Sequence, residues 1–319
     1  MKLSIASLVQ TFWIRRLFSA ILYNLCSFFI REDNCRFLGD GSFSEVHEIS
    51  FGFKKRAMKK IFARDSSTTL DFHREMEILR MCSISEHVVS IVYFSSLNEN
   101  MYCIMELAEG GDLHTFLFSS DRRSWVTTEQ QLFIAMSVLS AIVDIHALGV
   151  VHRDIKLENV LITGAGKLKL CDFGLSKILL PGEKSRTVCG SFPYTAPEIS
   201  KTSMHDACVD MWSIGILLLI VFFKNRGFDF LEDDAMQRQK IAELIRRARI
   251  QERNDLFHVK TPCSMESLKV SLVNSLLKYY PEERLGFSDR NELLAHPLFR
   301  EHPEINLKNF KDTNFFLLS

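Results

Sequence analysis

The sequence is poor in the features that mark several classes of protein. Its 319 residues include only 14 glycines and 7 prolines, which excludes a collagen-like or low-complexity chain. The shares of hydrophobic residues, 47%, and of charged residues, 24%, are typical of a folded protein rather than a disordered one. This length suits one large domain that is made of two lobes.

The sequence also lacks an excess of one charge, and it lacks closely spaced cysteines. The 39 Lys and Arg residues balance 39 Asp and Glu residues, which argues against non-specific binding to nucleic acid. No two of the eight cysteines form a Cys-x-x-Cys pair, so they indicate reduced thiols rather than a disulfide framework or a zinc site. We therefore expect a cytoplasmic protein that has no nucleic-acid partner.

Acidic residues are absent from the first 31 positions, where apolar residues dominate. Arg15 and Arg16 split this stretch into apolar runs of 12 and 14 residues, Leu3–Ile14 and Leu17–Ile30. Both runs are shorter than the roughly 18 to 20 residues that span a bilayer. A signal peptide, a mitochondrial presequence, an interfacial helix and an extension that packs on the domain all remain open. We predict an apolar, basic N-terminal extension at residues 1–32, for which membrane contact is not favoured.

The following part of the chain is rich in β-type stretches. Four such stretches are predicted, with a helix at Asp71–Met81 between the second and the third; the stretches are Phe37–Val46, Arg56–Phe62, Val88–Phe94 and Met101–Leu107. The first of them contains a turn between two strands. Asp71 is a plausible N-cap for that helix, and apolar residues recur along one of its faces.

After Gly111 the pattern becomes mostly helical. Thr128-x-x-Gln131 is a capping-box signature ahead of a long apolar helix. The run from Ile214 to Phe223 has no polar residue, is too short for a membrane span and fits a buried helix. The order predicts an α+β fold with a small β-rich lobe at 33–107, a larger helical lobe at 108–299 and a short tail at 300–319.

A glycine-rich turn and a lysine suggest local phosphate chemistry. The turn reads Leu38, Gly39, Asp40, Gly41, Ser42, Phe43, Ser44, Glu45 and Val46. Glycines there let backbone amides approach phosphate oxygens, although a plain hairpin would look the same. Lys59 follows on a predicted strand, where a buried ammonium needs a partner, and Glu75 is one candidate. The alternative is a solvated lysine at a strand end.

Four further motifs follow in a fixed order. They are Val151-His152-Arg153-Asp154-Ile155-Lys156-Leu157-Glu158-Asn159, Asp172-Phe173-Gly174, Ala196-Pro197-Glu198 and Asp210-Met211-Trp212-Ser213-Ile214-Gly215. With the turn and Lys59, this set resembles the eukaryotic protein-kinase family over about residues 33–299. The resemblance implies the two-lobed protein-kinase fold and the cofactors ATP and Mg²⁺, because phosphoryl transfer depends on positioning and on charge neutralisation.

The resemblance also implies roles for individual residues. Asp154 would accept the proton of the substrate hydroxyl, Lys156 would steady the transferring phosphate, and Lys59 would hold the α/β-phosphates while paired to Glu75. Asn159 and Asp172 would bind Mg²⁺. The expected ATP-binding residues are Leu38, Gly39, Asp40, Gly41, Ser42, Phe43, Ser44, Val46, Ala57, Lys59, Met105, Glu106, Ala108, Asp112 and Leu161. Ser44 departs from the family's third glycine, which permits looser ATP binding without implying loss of function.

Lys156 and Ser191 are typical of serine/threonine kinases. Asp112 and Glu158 match positions where related kinases place acids, and two carboxylates on one side of a cleft favour substrates with Arg or Lys before the acceptor. The alternative for Asp112 is a helix cap that also binds ribose. The motifs around Met105 and His152 resemble the calmodulin-dependent-kinase group, with likeness to testis-specific serine kinases and checkpoint kinases.

The resemblance extends to structural and regulatory residues. Glu198 and Arg284 match a buried ion pair, and Asp210 is expected to hold the backbone of the catalytic loop. Thr187 is the predicted regulatory phosphorylation site; Ser185 or a separate upstream kinase is the alternative.

Arg153 and Lys177 are the predicted receptors of that phosphate, Arg153 being without a partner until the phosphate arrives. Protein substrates and a monomeric state are expected. A scaffold that keeps the fold only for binding is the second hypothesis, although none of Lys59, Asp154 and Asp172 has been lost.

Overall fold

The computed structural model describes residues 35–41, 44–51, 53–62, 66–97, 100–118, 126–180, 182–201, 204–223 and 265–300. The predicted extension at 1–32 and the tail beyond residue 300 lie outside the described residues. The chain divides into two compact units: a first unit of Met1–Arg80 with Ser90–Leu107, and a second unit of Met81–Val89 with Ala108–Ser319.

The first unit contains a five-stranded antiparallel sheet with the order β1-β2-β3-β5-β4. Its strands are β1 (Arg36–Gly41), β2 (Ser44–Phe51), β3 (Lys54–Phe62), β4 (Ile91–Leu97) and β5 (Asn100–Glu106). The β-type stretch predicted at Phe37–Val46 forms two strands of a hairpin, in which Gly41 lies opposite Ser44. The predicted stretch at Val88–Phe94 begins too early for β4, since Val88 forms a bridge with Leu170 of the second unit through the backbone bonds of His87 and Val89.

Helix α1 (Ser66–Cys82) follows β3 and starts five residues before its predicted N-cap. No glycine or proline interrupts the preceding residues, so the helix continues toward its N-terminus. The predicted face is confirmed: Phe72, Met76 and Leu79 are buried at helical spacing. Asp71 lies inside the helix and pairs with Arg74 at 3.2 Å.

The second unit is mostly helical. Among its described residues, the helices are α2 (Leu113–Phe118), α3 (Thr128–Ala147), α4 (Pro197–Lys201), α5 (Cys208–Phe223), α6 (Met265–Leu276) and α7 (Pro297–Arg300). Two strand pairs accompany them, β6 (Val150–Val151) with β9 (Lys177–Ile178) and β7 (Val160–Ile162) with β8 (Leu168–Leu170). All residues of α5 are buried, which confirms the predicted buried helix.

The capping box of α3 lies one residue before the predicted one. Thr127 is the N-cap: its hydroxyl accepts from the amide of Gln130, whose side chain accepts from the amide of Thr127. Two overlapping pairs satisfy the Thr-x-x-Gln pattern, but Gln131 is buried and its amide donates to the carbonyls of Val221 and Phe222. Gln131 is therefore committed to the core, and Gln130 remains for the cap.

Helix α3 is long and apolar enough to cross a membrane by length and composition alone. However, 67% of its most apolar 18-residue window is buried inside the protein. This burial is the pattern of a core helix.

Candidate active site

Lys59 and Glu75 form an ion pair in the first unit. Their Nζ and Oε1 atoms are 2.9 Å apart, and their side chains are 18% and 12% exposed. Lys59 lies on β3 between Val46 of β2 and Cys103 of β5, whereas Glu75 lies on α1. The sheet register and the helix thus bring together the two charges that the sequence suggested as partners.

The glycine-rich turn joins β1 and β2 at the edge of the same sheet. Leu38 is exposed and lies at an irregularity in the pairing with β2. A Cβ atom added to Gly39 would meet no atom within 4 Å, so packing does not require glycine there. Open space beside a backbone amide suits the approach of a phosphate group. Ser42 and Phe43 lie outside the described residues.

The end of β5 carries two of the predicted ATP-binding residues, Met105 and Glu106. Met105 is half-buried and lies opposite Ala57 of β3. Glu106 is fixed by Ser90, to whose carbonyl its amide donates at 2.9 Å and from whose amide its carboxylate accepts. The chain passes from the first unit to the second between Leu107 and Ala108.

In the second unit, Asp112 and Leu161 are joined by a β-bridge. Both carboxylate oxygens of Asp112 accept from Thr115, one from its amide and one from its hydroxyl, each at 2.8 Å. Asp112 therefore caps α2, as the alternative interpretation expected, and its side chain stays near the surface. Helix α2 packs against the turn Leu157–Asn159, whose Glu158 is exposed.

Asp154 is the centre of a polar cluster. Its Oδ2 accepts from Lys156 Nζ at 2.8 Å and from the side-chain amide of Asn159 at 3.1 Å. Its Oδ1 accepts from the backbone amide of Ser191 at 3.0 Å, and Lys156 also donates to Ser191 Oγ at 2.9 Å. The structure thus brings together four residues that the sequence placed in three different roles.

The charge of Lys156 is stabilised within this cluster. Burial lowers the pKa of its ammonium, but the hydrogen bond to Asp154 and the charges of Asp154, Glu158 and Asp172 raise that pKa more, and the net shift is upward. Lys156 is therefore a cation beside a carboxylate, which suits a group that meets phosphate oxygens.

Asp210 holds the backbone of this loop from α5. Its two carboxylate oxygens accept from the amides of His152 and Arg153, both at 2.8 Å, as the sequence predicted. Burial raises the pKa of Asp210, but the hydrogen bonds from His146 and the backbone lower it more, so the net pKa lies below its ordinary value. The carboxylate stays ionised in a fully buried position.

Backbone geometry around the loop is unusual at two positions. Arg153 and Asp172 are non-glycine residues with φ angles of 66° and 61°, in the left-handed region. Hydrogen bonds to Asp210 hold the first of these. Near the second, the ring of His152 meets the carbonyl of Cys171 at 3.1 Å and packs edge-on against Phe173 at 4.8 Å. Such strain persists where the surroundings fix it, and it concentrates at functional sites.

A family model described as a protein kinase domain matches residues 33–299. The chain belongs to the protein kinase family. It is similar to "Probable serine/threonine-protein kinase fhkA" of Dictyostelium discoideum, with 29% identity across 83% of this chain and 49% of the relative. It is also similar to "Calcium-dependent protein kinase 19" of Arabidopsis thaliana, with 32% identity across 86% of this chain and 48% of the relative.

These findings confirm the predicted α+β protein-kinase fold and the resemblance to serine/threonine kinases. A calcium-dependent kinase among the relatives agrees with the likeness to the calmodulin-dependent group. The chain spans about half the length of the curated relatives it matches.

Protein kinases use ATP and Mg²⁺, and the residues of this chain fit both. Asn159 donates its amide nitrogen to Asp154, so its amide oxygen is the atom that can bind a cation. Asp172 has carboxylate oxygens of the kind that Mg²⁺ prefers, at an exposed position. The ammonium of Lys59 has the charge that phosphate oxygens would require, and the open face of Gly39 suits their approach.

The contacts between Arg153 and the segment after Asp172 differ from the prediction. Its side chain has partners: Nε donates to the carbonyl of Leu175 at 2.7 Å, and Nη1 donates to Ser185 Oγ at 3.1 Å. The expectation of an unpaired Arg153 is therefore wrong, because a buried guanidinium requires acceptors. Thr187 is exposed, and its amide donates to the same Ser185 hydroxyl at 3.4 Å. Lys177 lies on β9 opposite Val151.

Glu198 and Arg284 form the predicted ion pair in two-pronged geometry, at 2.6 and 2.8 Å. Arg284 is fully buried and also donates to the carbonyls of Lys278, Cys208 and Tyr279. Its guanidinium lies 5.2 Å from the ring centre of Trp212.

Sequence reasoning missed His146 and Arg290, which contact this region, and it named Ser185 without foreseeing its bond to Arg153. His146 bonds to Asp210 at 2.8 Å, and Arg290 bonds to His146 at 2.9 Å. The available signal was a histidine at the end of the apolar helix α3. Arg290 lies 144 positions from its partner, and no spacing rule connects the two.

Proposed function

We propose that this protein is an ATP-dependent protein serine/threonine kinase that transfers a phosphoryl group to Ser or Thr hydroxyls of protein substrates. The observation that carries this proposal is the cluster around Asp154, in which Lys156, Asn159 and Ser191 all bond to one carboxylate. A carboxylate with its geometry fixed from three sides is suited to orient one incoming hydroxyl and to take its proton.

Each residue has a part in this reaction. Asp154 orients the acceptor hydroxyl and receives its proton, while Lys156 neutralises charge on the transferring phosphate. Lys59, held by Glu75, binds the phosphates that stay behind. Asn159 and Asp172 hold Mg²⁺, which neutralises the phosphate charges when bound. Asp210 keeps the loop in place through the amides of His152 and Arg153.

The test is a metal-dependent ATP-turnover and peptide-phosphorylation assay on the purified protein, with Asp172→Ala as the control. Wild type is expected to phosphorylate Ser and Thr peptides, whereas the variant is expected to be inactive. Equal, background-level turnover by the two proteins would favour the scaffold hypothesis instead.

A preference for basic substrates is the finer part of the proposal. Asp112 is at the surface where α2 packs against the turn that carries the exposed Glu158, so two carboxylates lie in one region of the second unit. A carboxylate that caps a helix retains lone pairs for an arginine, because each of its oxygens accepts more than one hydrogen bond.

This preference is tested with two peptide sets, one with Arg before the acceptor and one with Ala there. Glu158→Gln is expected to lower kcat/KM about fivefold for the Arg peptides and to leave the Ala peptides unchanged. Asp112→Asn is expected to lower kcat/KM about fivefold more for the Arg peptides than for the Ala peptides, since Asp112 is also an expected ATP-binding residue. The exposed Glu292→Gln is the matched control. An equal loss for both peptide sets would contradict recognition of basic residues.

We also propose that phosphorylation of Thr187 regulates the enzyme. Thr187 is exposed and its amide donates to the hydroxyl of Ser185, which also accepts from Arg153, so one hydroxyl links the backbone of Thr187 to a buried cation. A phosphothreonine adds about −1.5 to −2 charge and strong acceptor oxygens for Arg153 and Lys177.

Mass spectrometry of the wild type beside Asp172→Ala tests this regulation and its source. Self-phosphorylation predicts phosphate on Thr187 in the wild type alone. Thr187→Ala is expected to lose most of its kinase activity. Ser185→Ala is measured beside it, because Ser185 is the alternative phosphorylation site. Full activity of Thr187→Ala would contradict the regulatory role.

A further inference from the structure

A line of hydrogen bonds leads from a half-buried arginine to the loop that carries Asp154. Arg290 Nε bonds to His146 Nδ1 at 2.9 Å, and His146 Nε2 bonds to Asp210 Oδ2 at 2.8 Å. Asp210 then accepts from the amides of His152 and Arg153. Arg290 begins a short 3₁₀ turn, Arg290–Leu293, far along the chain from the loop.

The direction of these bonds fixes the proton of His146. The Nε–H of an arginine can only donate, so His146 Nδ1 accepts and carries no proton. The proton of the neutral ring is therefore on Nε2, where it is donated to Asp210. His146 is 4% exposed and Asp210 is fully buried, so no solvent competes for this bond. With the proton on Nδ1, the ring would instead turn a lone pair toward the carboxylate.

Arg290 is itself held in place on several sides. Its Nη1 donates to the carbonyl of Phe287 at 3.0 Å, and its Nη2 lies 3.8 Å from the sulfur of Cys208. Burial raises the pKa of that thiol to about 12, so Cys208 is a neutral neighbour rather than a competing anion. The turn of Arg290 is capped by Asp289, whose carboxylate accepts from the amide of Asn291.

We propose that Arg290 is a positioning residue for phosphoryl transfer. By keeping the His146 proton on Nε2, Arg290 keeps Asp210 bonded to the amides of His152 and Arg153, and so keeps the adjacent Asp154 in its reactive position. The inference rests on the proposed role of Asp154. Arg290 touches neither the substrate nor the phosphates, and its effect reaches them only through His146 and Asp210.

Kinetics of two substitutions at Arg290 test this role. Arg290→Met removes the donor at similar volume and is expected to lower kcat about five- to tenfold, with KM for ATP and for peptide within about twofold. Arg290→Lys keeps a donor and is expected to recover at least half of the lost rate. Arg300→Met, at an exposed arginine of α7, is the matched control and is expected to match the wild type.

A double substitution separates positioning from packing. Glutamine at position 146 has one fixed donor and one fixed acceptor and does not tautomerise. In the His146→Gln background, Arg290→Met is therefore expected to cost less than twofold in kcat. An unreduced cost in that background would show that Arg290 acts through packing and would overturn the proposal.

Nitrogen NMR of the histidine rings reads the tautomer without any need for activity. The wild type is expected to show His146 protonated on Nε2 alone, and Arg290→Met to show a mixture. A wild-type ring that is protonated on Nδ1 overturns the inference even if the enzyme is active.

A wild type without kinase activity contradicts the proposed function, while the spectrum still decides the tautomer. A kcat of Arg290→Met equal to that of the Arg300→Met control also overturns the proposal.

Discussion

Lys59 with Glu75 in the first unit and Arg284 with Glu198 in the second unit are both charged pairs, but they differ in their withdrawal from solvent. The side chains of Lys59 and Glu75 are 18% and 12% exposed, and the two contact through Nζ and Oε1. Arg284 is 0% exposed and meets Glu198 through two nitrogens while it also donates to three backbone carbonyls.

The difference separates a pair that presents charge from a pair that fastens the fold. A guanidinium has five donors, and Arg284 directs its bonds to protein acceptors in the core. A partly exposed ammonium keeps donors within reach of a ligand, and lysine is a compact charge suited to phosphate. The same two charge types therefore indicate activity in one unit and stability in the other.

The largest effects are expected on the active side of this comparison. Lys59→Met and Asp154→Ala should each lower kcat at least about 100-fold, because each removes a group that meets phosphate or the acceptor. The melting temperature should change by less than about 3 °C. Lys60→Met is the matched control, since neighbouring strand residues face opposite sides of the sheet. Peptide phosphorylation by Asp154→Ala at the wild-type rate would show that the catalytic loop is wrongly assigned.

On the stability side, Arg284→Ala should lower the free energy of unfolding by about 3–5 kcal/mol, because Glu198 would keep a partly buried and unpaired charge. Chemical denaturation and thermal melting measure this loss. The exposed Arg300→Ala should change the unfolding free energy by no more than about 0.5 kcal/mol. An unchanged melting temperature for Arg284→Ala would remove the basis for calling this pair structural.

Neutralising the carboxylate of each pair sharpens the comparison. Glu198→Gln should cost about 1–3 kcal/mol of stability, since a fully buried guanidinium loses its counter-charge. Glu75→Gln should cost less than about 1 kcal/mol because its site is partly solvated, yet it should reduce kcat/KM about tenfold. Denaturation measures the loss of stability, and steady-state kinetics measures the loss of kcat/KM, for both variants. If one variant showed the larger loss in both assays, the distinction between a pair for activity and a pair for stability would fail.

The smallest expected effect is an acid sensitivity of the second unit. Burial lowers the pKa of His296 to about 4; its Nδ1 accepts from the amide of Leu298 and its Nε2 meets Ser271 Oγ. The folded pKa lies below the unfolded value, so the unfolded chain binds more protons between about pH 6.5 and pH 4. Stability is complete above that range and should fall by about 1 kcal/mol from pH 6.5 to pH 5.5.

His296→Gln should flatten this slope, because an amide does not titrate in that range. Denaturation curves at pH 7, 6.5 and 5.5 for both proteins measure it. The same slope in the variant would assign the acid sensitivity to other groups.

Local patterns predicted several elements of the fold well. The buried face of α1 follows from residue spacing, and the burial of the run from Ile214 to Phe223 in α5 follows from its lack of polar residues. Both depend on neighbours within one helix. The predicted start of α1 at Asp71 and the predicted cap of α3 at Thr128 differ from the observed Ser66 and Thr127, since several nearby residues satisfy the same local rule. Burial of Gln131 selected between the two possible caps.

The candidate site was identified from ordered motifs, and the structure brings Asp154, Lys156, Asn159 and Ser191 together. The partners of Arg153 were not foreseen, because Ser185 approaches it through the course of the segment and not through a recognisable spacing. The roles of these residues in catalysis stay predictions until the variants above are measured.

The sequence by itself determined the family, the chemical types of the site residues and the apolar helix faces, because motifs and periodicity are properties of neighbours along the chain. Tertiary structure alone decided the bonds that place those groups. Arg290 reaches Asp210 through His146, and Arg153 reaches Ser185 across 32 positions. Such contacts depend on which buried donors and acceptors must satisfy one another in the folded protein, and separation along the chain carries no record of that requirement.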